Sequence, residues 1–252
     1  MRKLFLGVLM CSGFSAAAQV TNVEARRVKT DTTGWYGEIN TGFKFVREVG
    51  NVFTSNSDAR IQFKDKKNLY LALGEYNWSG ARGKTFTHNA YLHLRYNRKL
   101  KPDWLRWEAF TQVQFNEITR INLRWLLGTG PRFKLKEKER SSVYWGTLYM
   151  FEITKELDIE GNRLDRYEHR KSSYLSFSLF PVDNLSIIST SYYQPRIDNW
   201  SDFRVSNVSE LRAKITKRLV LSMVYKFNYD AYPAESIPRV THSFENKIGL
   251  VF

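Results

Sequence analysis

Polar and apolar residues alternate one by one along most of the chain after Tyr36, which is the period of a β-strand rather than of a helix. The alternation predicts twelve strands, at about 36–46, 52–63, 69–78, 86–96, 105–115, 121–133, 143–153, 171–180, 185–194, 203–215, 219–229 and 240–252. Ordinary strands have about 5–6 residues, whereas a tilted strand that crosses a bilayer needs about 9–11. The predicted strands are long enough to cross, so their length favours a transmembrane barrel.

Charged residues within one predicted strand are separated by even spacings, as in 38/44, 58/60, 106/108, 124/132, 204/210/212/214 and 245/247. The charges of each strand therefore share one face, and the other face is rich in Phe, Tyr, Trp and Leu. In a membrane barrel the apolar face meets lipid and the polar face lines the lumen. We expect the lipid-facing residues to include Phe43, Leu92, Leu94, Leu221 and Tyr225, and the lumen-facing residues to include Asn40, Arg95 and Lys226.

Two predicted strands depart from this rule. Leu69, Leu71 and Leu73 share a face with Glu75, which places leucines and a carboxylate on the same side. Lys171 shares a face with Leu175 and Phe177, and its ammonium group could reach the membrane interface from a strand end.

The predicted connections differ between the two ends of the barrel. With the N-terminus in the periplasm, the outer loops have 5, 7, 5, 17, 8 and 10 residues and the inner turns 5, 8, 9, 4 and 3. Longer loops outside are typical of outer-membrane barrels. The inner turns sum to +7 and the outer loops to −1.

The N-terminus reads as an export signal. A charged start, an apolar run from Leu4 to Phe14 and small residues at 15–18 predict a signal peptide at 1–18, cleaved before Gln19. Residues 19–35 are expected to form a periplasmic tail and 36–252 the barrel. Removal of 1–18 takes Arg2, Lys3 and Cys11 from a total of 39 basic and 25 acidic residues, which leaves +12 and no cysteine. Thiol catalysis and thiolate metal sites are then excluded, and export argues against nucleic acid as a partner.

Composition agrees with a barrel. The mean hydropathy of −0.45, without an apolar run of about 18 residues after the N-terminus, excludes a bundle of transmembrane helices. Aromatic residues make up 15% of the chain and cluster where the interfacial belts of a barrel would fall. The predicted belt residues are Tyr36, Trp78, Tyr96, Trp104, Trp107, Tyr192, Tyr193, Tyr229 and Tyr232.

The last strand carries a second signal. Lys247, Gly249, Leu250 and Phe252 form an alternating end with a terminal aromatic residue, as in the segment that outer-membrane barrels present to their assembly machinery. Pairing of this strand with the first would close the barrel and leave no exposed edge.

Three stretches carry a family resemblance: residues 120–133 (RINLRWLLGTGPRF), 191–195 (SYYQP) and 226–230 (KFNYD) followed by Pro233. Together with the order of the strands, they make the chain similar to the YdiY-like salt-induced outer-membrane proteins, domain of unknown function 481. The resemblance implies location and shape, and it brings no catalytic residues.

The sequence offers little chemistry outside the lumen. His88, His93, His169 and His242 form no metal-binding spacing, so we expect neither a metal nor another cofactor. His242 and Ser243 are neighbours on one strand and point to opposite faces, so they cannot act together as base and nucleophile. Gly128 and Gly130 lack the lysine of a phosphate loop and are expected to allow close approach of the backbone.

The predicted lumen has twelve basic and seven acidic residues, an excess of +5. Lys171, Lys214 and Lys247 are counted among the twelve. The candidate basic residues are Lys44, Arg60, Arg95, Arg106, Arg124, Arg132, Arg204, Arg212 and Lys226. One interpretation is a set of ion pairs that braces the wall, and the other is a pathway that favours anions.

We therefore predict a single all-β domain, an antiparallel transmembrane barrel of about twelve strands in the bacterial outer membrane. Its role would be a narrow passive channel with anion preference or a structural element of the envelope, and it would not be an enzyme. A barrel enzyme acting on lipid and a soluble periplasmic ligand-binding β-protein are the alternatives. The expected partners are outer-membrane lipid, transiently the barrel assembly machinery, and small anionic solutes, with the barrel a monomer.

Deletion of Phe252 tests the C-terminal signal. We expect less assembled barrel and more degraded or periplasmic protein, because the assembly machinery would lose its terminal aromatic residue. Cell fractionation followed by gel electrophoresis of heated and unheated membranes measures both pools. Unchanged assembly would contradict the signal but not the barrel.

Overall fold

The computed structural model describes residues 33–47, 51–81, 84–117, 119–158, 160–233 and 237–251, with the backbone alone given for 44–47 and 51–52. The predicted signal peptide, nearly all of the predicted tail and Phe252 lie outside these residues. No helix in the described part of the chain is long and apolar enough to cross a membrane.

Twelve strands account for most of the described chain. They are β1 (Gly34–Arg47), β2 (Asn51–Lys64), β3 (Asn68–Ala81), β4 (Lys84–Lys99), β5 (Leu105–Asn116), β6 (Ile121–Lys138), β7 (Ser141–Leu157), β8 (Arg163–Val182), β9 (Leu185–Pro195), β10 (Phe203–Lys214), β11 (Leu219–Asp230) and β12 (Val240–Val251). The twelve predicted strands are confirmed.

Every strand pairs antiparallel with its neighbours in sequence, and β12 pairs with β1 to close the barrel. This closing seam is short, running from Glu38 opposite Val251 to Thr41 opposite Ile248. Closure satisfies the backbone hydrogen bonds of both terminal strands, which a sheet in lipid requires. We call the end at which β1 begins and β12 ends the terminal end.

Burial alternates along each strand as the sequence pattern predicts. On β11, Lys226 is 6% exposed and points inward, whereas Leu221 and Tyr225 are each 43% exposed on the outer face. Asn40 and Arg95 lie inside, and the outer face carries Phe43, Leu92 and Leu94. The outer surface is therefore apolar and the interior is charged.

The longest predicted loop is wrong. The sequence pattern predicts 17 loop residues between β7 and β8, but β7 extends to Leu157 and β8 begins at Arg163, so the connection is 158–162. The sequence favours a loop between 153 and 171 because this segment has many charged residues. Strands that extend beyond the hydrocarbon layer can carry charges on both faces, and inward Glu156, Glu168 and Arg170 preserve the alternation. The longest outer connection is instead 231–239.

The two irregular strands have different explanations. Leu69, Leu71 and Leu73 do point inward with Glu75, and they pack with Tyr91 in an apolar cluster on the lumen wall. Lys171 lies on the outer face with Leu175, so its alternation is also intact.

Aromatic rings form contacts around both ends of the outer face. Trp35–Phe63 and Tyr70–Tyr96 ring centroids are 4.9 and 5.1 Å apart at the terminal end. Phe43–Phe53 and Phe203–Tyr229 rings stack at the opposite end. Two predicted belt residues are wrong, because Tyr36 and Tyr192 occupy inward positions: Tyr36 donates a hydrogen bond to Glu38, and Tyr192 is 6% exposed.

The turns contain local polar contacts. Asp65 accepts hydrogen bonds from the backbone and side chain of Asn68, which lower the pKa of the Asp65 carboxyl. Gly161 has a φ of +87°, a conformation that favours glycine, in the tight connection between β7 and β8.

Replacement of Tyr225 by Arg tests the lipid-facing assignment. Tyr225 lies near the middle of β11 on the outer face, so a charge there should cost about 2–4 kcal/mol of folding stability. Urea unfolding in lipid vesicles measures the loss, with Tyr225→Phe as the matched control. Equal stability of the two variants would place position 225 away from lipid.

Candidate functional site

The candidate site is the lumen, where three buried carboxylates are each surrounded by basic side chains. Glu38, Glu108 and Glu152 are at most 1% exposed. Burying an isolated carboxylate is costly, so each needs charged or hydrogen-bonding partners inside the barrel. Strand alternation supplies these partners, because inward arginines occur on most of the strands nearby.

The Glu38 cluster joins β1, β2 and β10. Arg60 places Nη2 at 2.5 Å from Glu38 Oε2, and Arg212 places Nη1 at 2.9 Å from Oε1. The Tyr36 hydroxyl donates to the same carboxylate at 2.8 Å. In the barrel order, β12 and β11 separate β1 from β10, so Arg212 reaches across part of the lumen.

The Glu108 cluster lies among β4, β5, β6 and β8. Arg132 Nη1 is 3.1 Å from Glu108 Oε1, and the Tyr174 hydroxyl donates to Oε2 at 2.5 Å. Arg95 Nη1 is 3.9 Å from the same carboxylate. Tyr174 on β8 and Glu108 on β5 are separated by two strands, so this contact also crosses the bore.

The Glu152 cluster contains three arginines around one carboxylate. Arg204 and Arg124 lie 2.8 and 3.0 Å from Glu152, and Arg170 lies 3.6 Å away. Arg170 also binds Glu168 at 2.7 Å and Asp202 at 2.9 Å. This cluster links β6, β7, β8 and β10 with the connection before β10.

A fourth cluster lies along the seam. Lys247 on β12 contacts Asp58 on β2 at 2.8 Å and Glu245 at 3.2 Å. Lys226 contacts Glu245 at 2.8 Å, and the Asn40 amide donates to Asp58 at 2.7 Å. Because β1 lies between β12 and β2, the Lys247–Asp58 pair bridges the short β1–β12 ladder.

Not every basic residue counted in the predicted lumen lies on the described lumen wall. Lys171 faces outward, Lys214 is exposed at the terminal end, and the side chain of Lys44 lies outside the described residues. The buried charged residues in the described part of the chain are nine basic (Arg60, Arg95, Arg106, Arg124, Arg132, Arg170, Arg204, Arg212, Lys226) and nine acidic (Glu38, Glu75, Glu108, Glu152, Glu156, Glu168, Asp202, Glu210, Asp230). The buried charges of the described lumen are therefore balanced, and on the inward faces the half-buried Lys64, Lys134, Arg166 and Lys247 outnumber the half-buried Asp58 and Glu245.

Apolar side chains line part of the same lumen. Phe110, Leu126, Leu148, Met150, Tyr174 and Tyr192 form a buried cluster on β5 to β9. The Phe110 ring lies over Gly128 and the Tyr174 ring over Gly146, where an added Cβ would be 2.2 Å from a ring carbon. At Gly130, an added Cβ would be 2.4 Å from the Thr147 carbonyl oxygen. Glycine at these positions lets rings and backbone approach closely, as expected for Gly128 and Gly130.

The cavities lined by described residues are small. The central cavity, between the apolar cluster and the Glu152 cluster, has about 30 Å³ open to the centres of water molecules. Cavities near the opposite end and at the terminal end have about 20 Å³ each. About 10–15 Å³ of such space holds one water molecule, so the central cavity holds two or three and each of the other two holds one or two.

The remaining predicted residues are dispersed. Arg106 is 7% exposed and lines the terminal-end cavity with Lys64, Lys67 and Lys99. Leu250 faces outward, and Gly249 lies against Asn40, whose Oδ1 would be 2.0 Å from an added Cβ. Phe252 lies outside the described residues.

The histidines occupy unrelated places. His93 stacks between Tyr91 and Phe110 inside the barrel and pairs with Gln112 at 3.1 Å. His169 contacts the Tyr149 hydroxyl on the outer face, and His242 is exposed while Ser243 lies on the opposite face. The described residues contain no group of His, Cys, Asp and Glu that could hold a metal ion.

Sequence reasoning missed Arg170, Glu168, Asp202 and Tyr174 as parts of the lumen network. Extending the even spacing through 164–174 would have placed Glu168, Arg170 and Tyr174 on one face. No local signal identifies Asp202, because it lies in a connection and reaches Arg170 only through the tertiary fold.

Comparisons with known proteins agree with this architecture. Residues 45–252 match the family described as protein of unknown function, DUF481, and the chain belongs to that family. No curated protein matches the chain.

Solved structures show the same fold at low sequence identity. The NanC porin has a TM-score of 0.51 and 8% identity, covering 86% of this chain and 98% of its own. An outer membrane channel from Pseudomonas putida F1 has a TM-score of 0.51 and 10% identity, covering 88% and 97%. The translocator domain of the autotransporter NalP from Neisseria meningitidis has a TM-score of 0.53 and 12% identity, covering 88% of this chain and 89% of its own. The chain thus has the fold of the outer-membrane β-barrels.

Replacement of Glu152 by Gln tests the lumen network. The change leaves three arginines around a neutral amide, and breaking a buried ion network typically costs about 3–5 kcal/mol. Glu245→Gln is the matched control, because its side chain is 28% exposed and water can replace part of the interaction. Urea unfolding in vesicles should show the larger loss for Glu152→Gln, and equal losses would contradict the assigned role of the Glu152 cluster.

Proposed function

We propose that the protein is a constricted passive channel of the outer membrane, closed at its centre in this conformation. The observation that carries the proposal is the set of contacts across the bore. Arg212–Glu38, Arg204–Glu152 and Tyr174–Glu108 each join strands that are three positions apart in the barrel. Small cavities with charged side chains in their lining lie on both sides of this layer, so limited rearrangement would connect them.

The comparisons support a channel at the level of the fold. Two of the proteins with the same barrel are named as a porin and as an outer membrane channel. The closed ring of twelve strands provides a lumen, and the charged lining suits water and small polar solutes rather than lipid. The size limit of the channel is set by the side chains that fill the bore.

The preference for anions is proposed to arise at the terminal-end mouth. The buried charges of the described lumen wall are balanced, so they give no net bias. The mouth cavity is lined by Lys64, Lys67, Lys99 and Arg106, with Asp65 as its acidic member. This local positive potential would raise the concentration of small anions at the entrance, and salt would screen it.

A structural role in the envelope is the second candidate. The same cross-lumen ion pairs brace strands that are not neighbours, and a permanently filled bore would make the barrel a rigid membrane element. Conductance measurements separate this role from a channel.

A soluble periplasmic role and an enzymatic role on lipid have less support. The outer face exposes many large apolar side chains, including Trp35, Phe43 and Leu250, which suits lipid and not a soluble periplasmic protein. Catalysis on lipid would need a nucleophile beside a base, and His242 and Ser243 lie on opposite faces.

Single-channel recording in planar bilayers tests the channel. We expect small and infrequent conductance from the unaltered protein and a larger conductance from Tyr174→Ala, because this variant removes a ring from the bore and one partner of Glu108. Leu175→Ala is the control, since Leu175 is next in sequence and faces outward. A silent Tyr174→Ala barrel that still migrates as a folded protein would favour the structural role.

Reversal potentials in a salt gradient test the selectivity. The Lys67→Gln, Lys99→Gln double variant should lose anion preference, whereas Lys171→Gln should retain it, because Lys171 lies on the outer face. The preference should also weaken between 0.1 M and 1 M salt, as the Debye length falls from about 10 Å to about 3 Å. A cation-selective pore would contradict the proposed role of the mouth.

A further inference from the structure

The outer face at the terminal end carries two groups of contacting aromatic rings on the side of the barrel formed by β1 to β7. Trp35 contacts Phe63 with ring centroids 4.9 Å apart, and Phe133 contacts Trp145 at 5.0 Å. The Trp107 indole donates to Thr129 on the neighbouring strand at 2.8 Å. We call the following residues the terminal belt: Trp35, Phe63, Tyr70, Tyr96, Trp104, Trp107, Phe133 and Trp145. Such amphipathic rings lie at the headgroup level of a bilayer, which fixes the membrane boundary at this end.

Basic side chains lie next to the terminal belt, on the side that is farther from the middle of the membrane. We call the following exposed residues the basic crown: Lys66, Arg98, Lys101, Lys136, Lys138, Arg140, Lys217 and Arg218. Arg98 is the cross-strand partner of Trp107, so a guanidinium group lies next to a belt ring. Lys136 and Lys138 pair with outward positions of β7 after a register shift in β6. These eight residues come from turns and strand ends spread around the barrel and are separate from the mouth residues Lys64, Lys67, Lys99 and Arg106.

Neighbouring acids offset only part of this charge. The exposed acidic residues at the same end are Asp103, Glu137, Glu139 and Asp183. Glu137 is engaged by Lys134 at 2.8 Å, which is not a crown residue, and Asp183 lies 3.8 Å from Arg140. The crown therefore retains a positive excess.

The opposite end has a different charge pattern. There the exposed charges pair locally, as Arg163 with Asp165 at 2.8 Å and Arg196 with Asp198 at 2.6 Å. The hydrogen bond from Arg196 lowers the pKa of the Asp198 carboxyl, so this pair stays charged and mutually neutralised. Among the described residues, the larger excess of exposed positive charge thus lies at the terminal end.

We propose that the basic crown and the terminal belt together bind anionic phospholipid headgroups of the leaflet at the terminal end. The rings would lie at the boundary between headgroups and acyl chains, and the crown would contact the phosphates just beyond. Each basic group near an anionic membrane surface adds attraction that falls off within a Debye length.

A lipid surface fits better than a discrete anion or an acidic protein. The crown follows the circumference of the barrel instead of converging on one cavity, so no single phosphate could contact most of it. Its direct neighbour is the terminal belt, which already lies at the depth of the headgroups. Since the lipids of one leaflet surround the whole barrel, they are the partner that matches a ring of charge.

Spin-labelled lipids test the proposal on the reconstituted barrel. The measurement is the association of labelled phosphatidylglycerol relative to labelled phosphatidylcholine, in vesicles of both lipids at 0.1 M and 1 M NaCl. We expect about threefold preference for phosphatidylglycerol at low salt and little preference at high salt. The crown variant is Lys66→Gln, Arg98→Gln, Lys136→Gln and Lys138→Gln together, and it should lose most of the preference.

A matched variant removes the same number of charges from the opposite end: Lys84→Gln, Arg120→Gln, Arg163→Gln and Arg239→Gln. It should keep the preference, and heat-modifiable migration on gels confirms that both variants fold. Equal loss in the two variants would overturn the assignment to the crown, as would the absence of any preference in the unaltered protein. Stronger displacement by inorganic phosphate than by NaCl at equal ionic strength would show a discrete phosphate site and overturn the lipid surface. A crown that binds an acidic peptide but shows no lipid preference would do the same.

Discussion

The structure depends on the pairing of charges that the barrel encloses. A strand that must present apolar side chains to lipid has only one other face for its polar residues, and in this chain that face is unusually rich in arginine and glutamate. Once the sheet closes, those groups leave bulk water, and each needs a partner inside. Glu38, Glu108 and Glu152 form ion pairs with arginines, and some of these arginines lie on strands that are not neighbours in the barrel. Neighbouring strands are held by backbone hydrogen bonds, whereas these clusters also hold strands that are not neighbours.

The same constraint shapes the proposed function. Ion pairs that reach across a lumen occupy the space through which a solute would pass, so bracing the wall and narrowing the bore are one physical arrangement. The apolar cluster around Phe110 and Tyr174 adds to the narrowing, and Gly128 and Gly146 let those rings lie against the wall. A constricted channel and a rigid envelope barrel therefore differ only in one respect, which is whether the side chains that fill the centre of the lumen can rearrange. The charges of the basic crown and of the mouth cavity at the terminal end are different, because they remain in contact with water and need no ion partner. This end of the barrel can therefore carry a net positive charge.

The amino-acid sequence by itself determined the class of fold, the number of strands and the face on which most residues lie. Strict alternation is a local property with a period of two, so Leu221 and Lys226 could be placed on opposite faces without any knowledge of the partner strands. Membrane burial strengthens this signal, because a one-residue slip would turn every charge of a strand toward lipid. The alternation of polar and apolar residues weakens where a strand extends beyond the hydrocarbon layer of the bilayer. For this reason the charged segment before Lys171 resembles a loop in the sequence.

Only the tertiary structure decided which charges meet and how much charge the lumen holds. The contacts between Arg212 and Glu38 and between Arg170 and Asp202 depend on strand register, barrel closure and the path of a connection, none of which leaves a local pattern. The extended β7 and β8 bring Glu156, Glu168, Arg166 and Arg170 into the lumen, a set of charges that the shorter predicted strands leave out. Alternation tells which face a side chain takes, but its partner is set by the geometry of the closed sheet.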